Sequence, residues 1–204
     1  MCKPLHAGRA SADGLQAAQL AARGFTSRAD AIECTQGFIA THGGTASLEA
    51  VLAAPDGGWH LRHNLFKFHA ACYGTHAAIE AARQLRLQHA LQPEDVIHVT
   101  VRAGAASEGV CNLAEPRTGL EAKFSLRHTV AMALAGIDTA GLDGFSDEAV
   151  RAPEVVALRG RVQVLLAPQC PGLTLSEVVI ETQDGAVLRQ RHDSGRPASD
   201  LLEQ

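Results

Sequence analysis

Aromatic residues and long hydrophobic runs are both scarce in this 204-residue sequence. Phe, Trp and Tyr make up only 4% of the chain, although 46% of its residues are hydrophobic, so its core has to be built from Ala, Leu and Val. The longest apolar runs, such as residues 130–135, are much shorter than the roughly 20 residues that span a bilayer. Pro4, His6 and Arg9 interrupt the first residues, so we expect no hydrophobic leader there. The composition predicts a globular protein with no membrane partner.

Paired cysteine motifs and an excess of positive charge are also absent. The five cysteines are an odd number and contain no Cys-x-x-Cys pair, which favours reduced thiols in a cytoplasm over a disulfide framework or a structural zinc site. Lys and Arg total 18 against 22 Asp and Glu, a formal charge of −4. Nucleic-acid binding requires a clustered positive excess. We therefore expect a cytoplasmic protein with no nucleic-acid partner.

Several common catalytic and nucleotide-binding motifs are missing as well. The sequence has no GxSxG nucleophile elbow, no GxxxxGK[ST] phosphate loop, no GxGxxG turn and no HExxH helix. Each of these motifs places a nucleophile, a phosphate cradle or a pair of metal ligands at a fixed spacing. The usual hydrolase, nucleotide-binding and metalloprotease interpretations therefore have no support in this sequence.

The N-terminal part of the sequence is predicted to be helical. Residues 10–23 are rich in Ala, with apolar residues on most sides of a helical wheel, so this helix needs to be covered on more than one face. Ser27 and Asp30 are expected to begin a second short helix that ends at Cys34. A third short helix is expected in LEAVLAA, and residues 55–58 are predicted to be the main domain boundary.

The rest of the sequence combines helical and strand patterns. Helical spacing predicts a helix over residues 75–91, opened by His76, and another in LRHTVAMALAG with Ser125 as its N-cap. Alternation predicts strands in VIHVTVRAG and RVQVLL. Two more strands in LSEVVIETQDGAVLRQRHD are joined at Asp184 and Gly185, a strong hairpin signal. This order predicts a mixed sheet with helices on one face, an α+β two-layer sandwich.

Three segments combine His with Lys or Arg, and each is expected at the entrance of a helix. They are KPLHAGR at residues 3–9, HLRHNLFKFHAACYGTH at residues 60–76 and KFSLRH at residues 123–128. Free N–H groups and positive potential at a helix N-terminus suit carboxylate or phosphate ligands. Lys67 lies between aromatic residues, where an exposed side chain is not expected. These segments therefore contain the candidate functional residues.

Other roles are open for the same side chains. Cys72 and His76 have the i, i+4 spacing of one helical face and could bind a metal together with His69. No second carboxylate or cysteine cluster completes such a site, so we expect no metal. Most of the ten histidines must simply cap helices or pack, and Lys3 and Lys67 could be solvated surface lysines. Cys72 is expected to be a small buried residue.

Three motifs occur in an order that is characteristic of one enzyme family. They are MCKPLHAGRA, followed by an Ala/Leu helix and RGF, then FKFHAACYGTHAAIEAA at residues 66–82 and AKFSLRHTVAMAL at residues 122–134. These motifs resemble those of the MmgE/PrpD family, which includes 2-methylcitrate dehydratase, cis-aconitate decarboxylase and iminodisuccinate epimerase. The resemblance covers nearly the whole chain. It implies a lyase or isomerase of small carboxylic acids that uses no cofactor.

The resemblance also implies a domain organisation. Family members have a large helical domain and a smaller α+β lid, with the active site in the cleft between them. By resemblance, residues 1–55 are a fragment of the helical domain, residues 56–193 form the lid, and residues 194–204 begin the return to the helical domain. Full members are considerably longer, so the resemblance implies a truncated chain or one half of a split enzyme. Its partner would be an N-terminal helical half or a second copy.

Family substrates are small di- and tricarboxylates. The shared step removes a proton beside a carboxylate, and loss of water or carbon dioxide, or reprotonation, follows. Fixed cations would stabilise the negative charge that develops. Relatives have Tyr or His at the position of His128. A Tyr would donate a hydrogen bond near neutral pH, whereas a His can also shuttle a proton, so the type of reaction stays open. By resemblance, Lys3 and Lys67 bind substrate carboxylates, and Lys67 and His128 take part in catalysis. His69 and His76 are further candidates because they flank the entrance of the predicted helix, His76 for catalysis and His69 for substrate binding. His6 and Arg9 follow as substrate-binding candidates that could set the charge of the pocket.

A non-catalytic role is the alternative. A remnant that retains the lid fold, or an interaction module, would keep the same motifs.

The Ala-rich helix at residues 10–23 has too few partners among the predicted elements, so we expect this chain to associate with another.

Overall fold

Two compact units make up the chain in the computed structural model, Met1–Gly58 and Trp59–Gln204. The structure describes residues 3–43, 47–54, 59, 61 and 64–196. The predicted boundary at residues 55–58 and most of the predicted return segment lie outside these described residues. Within them, no helix has the length and apolarity needed to cross a membrane.

The first unit is helical in its described part. It contains α1 (Lys3–Ala22), α2 (Phe38–Thr41) and α3 (Leu48–Leu52). Helix α1 begins at Lys3 rather than at residue 10, because Pro4 is tolerated in a first helical turn and no strong helix breaker follows it. Gly37 is the buried residue in the described part of this unit. The helices therefore bury very few side chains.

The prediction of a short helix that Ser27 and Asp30 begin and that ends at Cys34 is wrong. This segment forms turns, with one backbone bond from Cys34 N–H to the Asp30 carbonyl oxygen at 3.0 Å. The Phe38 N–H donates back to Ala31 O at 2.9 Å, so the chain folds back on itself before α2 begins. Asp30 also forms an ion pair with Arg28 and is thereby drawn away from the helix-capping role that the prediction gave it.

The second unit contains a four-stranded sheet and six α-helices in its described part. Its helices are α4 (Tyr73–Gln88), α5 (Glu108–Cys111), α6 (Gly119–Ala122), α7 (Leu126–Leu134), α8 (Asp147–Val150) and α9 (Pro153–Arg159), and its strands are β1 (Val96–Ala103), β2 (Val162–Leu166), β3 (Leu175–Thr182) and β4 (Val187–Asp193). The strand order is β2-β1-β3-β4. Strands β1 and β2 run parallel, whereas β1 with β3 and β3 with β4 are antiparallel. The predicted mixed sheet is confirmed.

Buried and half-buried residues alternate along β1, which explains why the helices pack on one face of the sheet. Val99, Val101 and Ala103 are fully buried, whereas the intervening Thr100 and Arg102 are only half-buried. Helix α4 packs over β3 and β4, and α7 packs over β2. One face of the sheet therefore supports the core and the other remains partly open, which confirms the α+β two-layer prediction.

The hairpin between β3 and β4 forms where the sequence predicts it. Gly185 has a φ of 85°, in the left-handed region that glycine adopts without steric cost. Its N–H donates to Thr182 O at 2.9 Å, and the Thr182 N–H donates to Ala186 O at 3.0 Å. The turn thereby fixes the register that pairs Ile180 with Leu188.

Helices α4 and α7 form the layer that positions the candidate residues. Helix α4 begins at Tyr73, two residues before the predicted start at residue 75, and ends at Gln88 because Ala90 takes a left-handed φ of 51°. The two helices contribute large apolar side chains and many alanines to one core. Small alanines let the helices approach closely, which explains how a core with so few aromatic residues is filled.

Candidate functional site

The chain enters α4 through a segment that is held by backbone hydrogen bonds. Ala70 N–H donates to Thr139 O and Cys72 N–H donates to Lys123 O, both at 2.8 Å. Cys72 is the N-cap residue, and its carbonyl accepts a bond from the Thr75 hydroxyl at 2.8 Å. This anchoring fixes the position of the candidate side chains on either side of Cys72. His60 and His63, which belong to the same sequence cluster, lie outside the described residues.

His69 is buried and held on both sides of its ring. Its Nδ1 atom hydrogen-bonds with the Thr139 hydroxyl at 2.7 Å. Its Nε2 atom lies 2.9 Å from Oε1 of Glu80, within ion-pair distance. The other Glu80 oxygen accepts a bond from Arg83 at 2.8 Å. Burial alone would raise the pKa of Glu80, but His69 and Arg83 outweigh it and lower that pKa to about 2.

His76 packs edge-on against His69 in the second turn of α4. Their ring centroids are 4.8 Å apart, and the Tyr73 ring lies 4.7 Å from His76 on another side. Burial lowers the pKa of His76 to about 4, and the nearby charges of His69 and Lys67 act in the same direction. Its Nε2 atom is buried and has no hydrogen-bond partner among the described residues. His76 is therefore a neutral imidazole that can accept a proton.

Lys67 lies next to this histidine pair, but its side chain is exposed. The expectation that the flanking aromatics would bury it is wrong, because Phe66 and Phe68 are themselves 55% and 44% exposed. The ammonium group donates to Ala71 O at 3.1 Å, which directs it towards the start of α4. Lys67, His69 and His76 are thus brought together.

His128 is fully buried in the first turn of α7. Ser125 caps this helix as predicted, since its hydroxyl accepts a bond from the His128 N–H at 3.2 Å. The Nδ1 atom of His128 contacts the Arg159 guanidinium at 3.5 Å. Burial, followed by the charge of Arg159, lowers the pKa of His128 to about 4. Among the contacts of the described residues, no hydrogen bond or ring contact joins His128 to His69 or His76.

The remaining candidates belong to α1. Lys3 is the first residue of α1, and His6 and Arg9 lie in its first two turns, so this segment is at the entrance of a helix that begins earlier than residue 10. His6 and Arg9 are exposed, and Arg9 forms a solvent-exposed ion pair with Asp13 at 3.2 Å. The convergence of Lys3 and Lys67 on one cavity stays a prediction.

Three residues of the histidine cluster were missed by the sequence reasoning. Thr139 and Glu80 hold His69, and Tyr73 packs on His76 while its hydroxyl donates to Ser194 O at 2.6 Å. Glu80 could have been found, since it follows His76 by one helical turn and precedes Arg83 by three residues. Thr139 lies 70 positions from His69, so no local pattern identifies it.

A surface pocket with a volume of about 370 Å³ adjoins the histidine cluster. His69, Glu80 and Arg83 line one part of it, and Arg86 and Asp138 line another. Two guanidinium groups are balanced there by two carboxylates, so the pocket has mixed charge. In the part of the chain that the structure describes, no group of three or more His, Cys, Asp and Glu side chains is arranged to hold a metal ion.

Comparison with known proteins identifies the family of this chain. A search of curated proteins finds no match. The family model described as MmgE/PrpD C-terminal domain matches residues 69–201, about two thirds of the chain. The matched region includes His69, His76 and His128, and it includes the whole four-stranded sheet. The chain therefore belongs to the MmgE/PrpD family, through the C-terminal domain of that family.

Proposed function

We propose that this chain acts on small di- or tricarboxylic acids as part of a lyase or isomerase. The reaction begins with removal of a proton from the carbon beside a carboxylate, and it ends as a dehydration, a decarboxylation or an epimerisation. The observation that carries this proposal is the buried, neutral imidazole of His76, whose Nε2 atom has no hydrogen-bond partner within the described part of the chain. Family membership supports the same substrate class.

Substrate binding would make His76 a stronger base. A group with a pKa of about 4 is a weak base at neutral pH. A substrate carboxylate placed near His76 would favour the imidazolium form, and it would also offset the positive charge of Lys67 that now disfavours that form. Both effects raise the pKa of His76. Proton abstraction would therefore become effective only when an anionic substrate is present.

Lys67 and His69 would have complementary tasks. The exposed ammonium group of Lys67 is accessible to a substrate carboxylate, and its fixed charge would stabilise the enediolate that forms after proton removal. His69 is held by Thr139 and Glu80, so its ring would keep His76 in one orientation and contribute to substrate binding. Residues fixed in this way lose little freedom when the substrate binds.

The other candidate residues keep roles that rest on the family resemblance. His128 would exchange a proton with the intermediate. Its neutral ring is compatible with that role, as is its Nε2 atom, which none of the described residues hydrogen-bonds. Lys3, His6 and Arg9 would bind the remaining carboxylates of the substrate. The helical half of a family member, or a second copy of the chain, would complete the site.

Hydrogen–deuterium exchange of substrate protons tests the proposal. Citrate, 2-methylcitrate, cis-aconitate and iminodisuccinate are incubated with the chain in D₂O, with and without the helical half of a family member, and followed by proton NMR. We expect loss of the signal beside a carboxylate, or a new product, for at least one acid. His76→Gln should abolish this change, whereas His89→Gln, at an exposed histidine on the far end of α4, should leave it intact.

Two results would contradict the proposal. One is the absence of exchange and product for every acid in both conditions. The other is an unchanged rate in the His76→Gln chain, which would show that the base is another group.

An interaction role is the second candidate, and the exposed apolar residues of α1 favour it. Leu5, Leu15 and Leu20 are 68%, 63% and 39% exposed, so this one helix presents several large apolar side chains that a partner would cover. In this alternative the second unit retains the family fold without turnover. Stable association of the chain with the helical half, combined with no exchange of any acid, would support it over the enzymatic proposal.

A further inference from the structure

Two cysteines that are distant in the sequence lie side by side in the second unit. Cys72 is the N-cap residue of α4 and is half-buried, and Cys111 is the last residue of α5 and is fully buried. Their thiol groups are hydrogen-bonded to each other, and no disulfide joins them. The Cys111 sulfur also lies 3.0 Å from the position that a Cβ atom on Gly74 would take. Cys111 is therefore packed directly over the first turn of α4.

We propose that Cys72 and Cys111 form a thiol–disulfide exchange site that reacts with small-molecule disulfides. Disulfide formation requires two sulfurs whose chains need little rearrangement to reach bonding distance. The hydrogen bond between the two thiols, and the packing of the Cys111 sulfur over the first turn of α4, place the sulfurs next to each other. Gly74 contributes because the absence of its side chain leaves room for the sulfur of Cys111 beside the helix.

The two cysteines differ in access, and this difference sets the order of the reaction. Cys72 is the half-buried member of the pair, so an incoming disulfide reaches its sulfur first. The hydrogen bond that the Cys111 thiol donates to Cys72, followed by burial, raises the pKa of Cys111, which keeps Cys111 a thiol until Cys72 has reacted. Cys72 is therefore the attacking residue and Cys111 the resolving residue.

The exchange balances in two steps. The Cys72 thiolate attacks one sulfur of the small disulfide, a mixed disulfide forms, and the other half leaves as a thiolate. Cys111 then loses its proton and attacks the Cys72 sulfur, which releases the second thiolate. Two protein thiols are oxidised to one disulfide and the small disulfide is reduced to two thiols. An excess of a small thiol reverses both steps.

Oxidised glutathione applied to the full chain tests the proposal. After incubation, remaining thiols are alkylated and the chain is digested without reduction for peptide mapping by mass spectrometry. We expect a linked pair of peptides that contain Cys72 and Cys111, lost again after treatment with reduced glutathione. Cys111→Ala should stop at a glutathione adduct on Cys72. Cys34→Ser, in the other unit, is the control and should leave the linked peptides unchanged.

The wild-type peptide map alone can overturn the proposal, whatever the variants do. If Cys72 carries glutathione and Cys111 remains alkylatable, the pair does not resolve the mixed disulfide. If neither residue reacts while Cys34 does, Cys72 is not accessible to a small disulfide. Either map would refute the site.

Discussion

Acid should destabilise the second unit at a pH well above that of ordinary acid denaturation, because His76 and His128 are buried as neutral imidazoles. Burial lowers the pKa of each to about 4, against 6.5 for an ordinary histidine. Between these values the unfolded chain binds a proton that the folded chain does not, so the free energy of unfolding falls as the pH falls. The loss begins near pH 6.5 and levels off near pH 4.

The expected size follows from the linkage between protonation and folding. Each such histidine costs about 1.4 kcal/mol per pH unit once the pH is below 6.5, or about 2 kcal/mol at pH 5. The two histidines together give about 4 kcal/mol, and His192, whose pKa is also lowered by burial, acts in the same direction. Glu80, with a pKa of about 2, contributes little in this window because its stabilisation is lost only below pH 4.5.

Urea unfolding followed by circular dichroism at pH 7 and pH 5 measures this loss. His128→Leu removes one of the two titrating rings, so the loss between these pH values should fall by about 2 kcal/mol. His89→Gln changes an exposed ring and should leave the loss unchanged. An unfolding free energy that is the same at pH 7 and pH 5 would refute the reasoning. So would an undiminished pH dependence in the His128→Leu chain.

Other changes test the candidate binding residue, the helix cap and the first unit. Lys67→Met should abolish citrate binding in calorimetric titration. The free energy of unfolding should change by less than about 0.5 kcal/mol, since the side chain is exposed. Undiminished citrate binding would show that Lys67 does not belong to the binding site. Ser125→Ala should lower the unfolding free energy by about 1 kcal/mol in urea titration, because it removes the N-cap of α7; an unchanged midpoint would contradict this. Light scattering at micromolar concentration should show that copies of the chain associate with one another. Leu15→Gln should weaken this association, because Leu15 is 63% exposed. A strictly monomeric wild-type chain would contradict this prediction. Backbone amide hydrogen exchange should be faster throughout residues 3–43 than in the strands of the second unit, because the described residues of this range bury almost no side chains. Equal protection of the two regions would contradict this prediction.

The parts of the fold that were predicted from the sequence are those with a local cause. The hairpin follows from the conformational freedom of Gly185, and the start of α7 follows from the capping hydroxyl of Ser125. Alternating burial in β1 follows from the two-residue period of a strand. The short helix predicted to end at Cys34 does not form, because Asp30 is drawn into an ion pair with Arg28. A capping residue predicts a helix only where its side chain is not engaged in another contact.

The candidate site was predicted in its residue types and only partly in its geometry. The sequence indicates Lys67, His69 and His76 because they occur in one short segment before a helix. Their environment depends on contacts that cross the fold, such as the bond from His69 to Thr139. The exposure of Lys67 was mispredicted because neighbouring aromatic residues bury a side chain only when they are buried themselves.

The strand order has a consequence for aggregation, since it leaves β4 and β2 at the two edges of the sheet. Edge strands present unpaired backbone groups to other chains, and charged side chains are the usual protection. Strand β4 has the sequence VLRQRHD, with two arginines and an aspartate. Strand β2 has the sequence VQVLL and no charge, and Leu165 and Leu166 are about two fifths exposed. The sheet is thus protected against strand addition along β4 and vulnerable to it along β2.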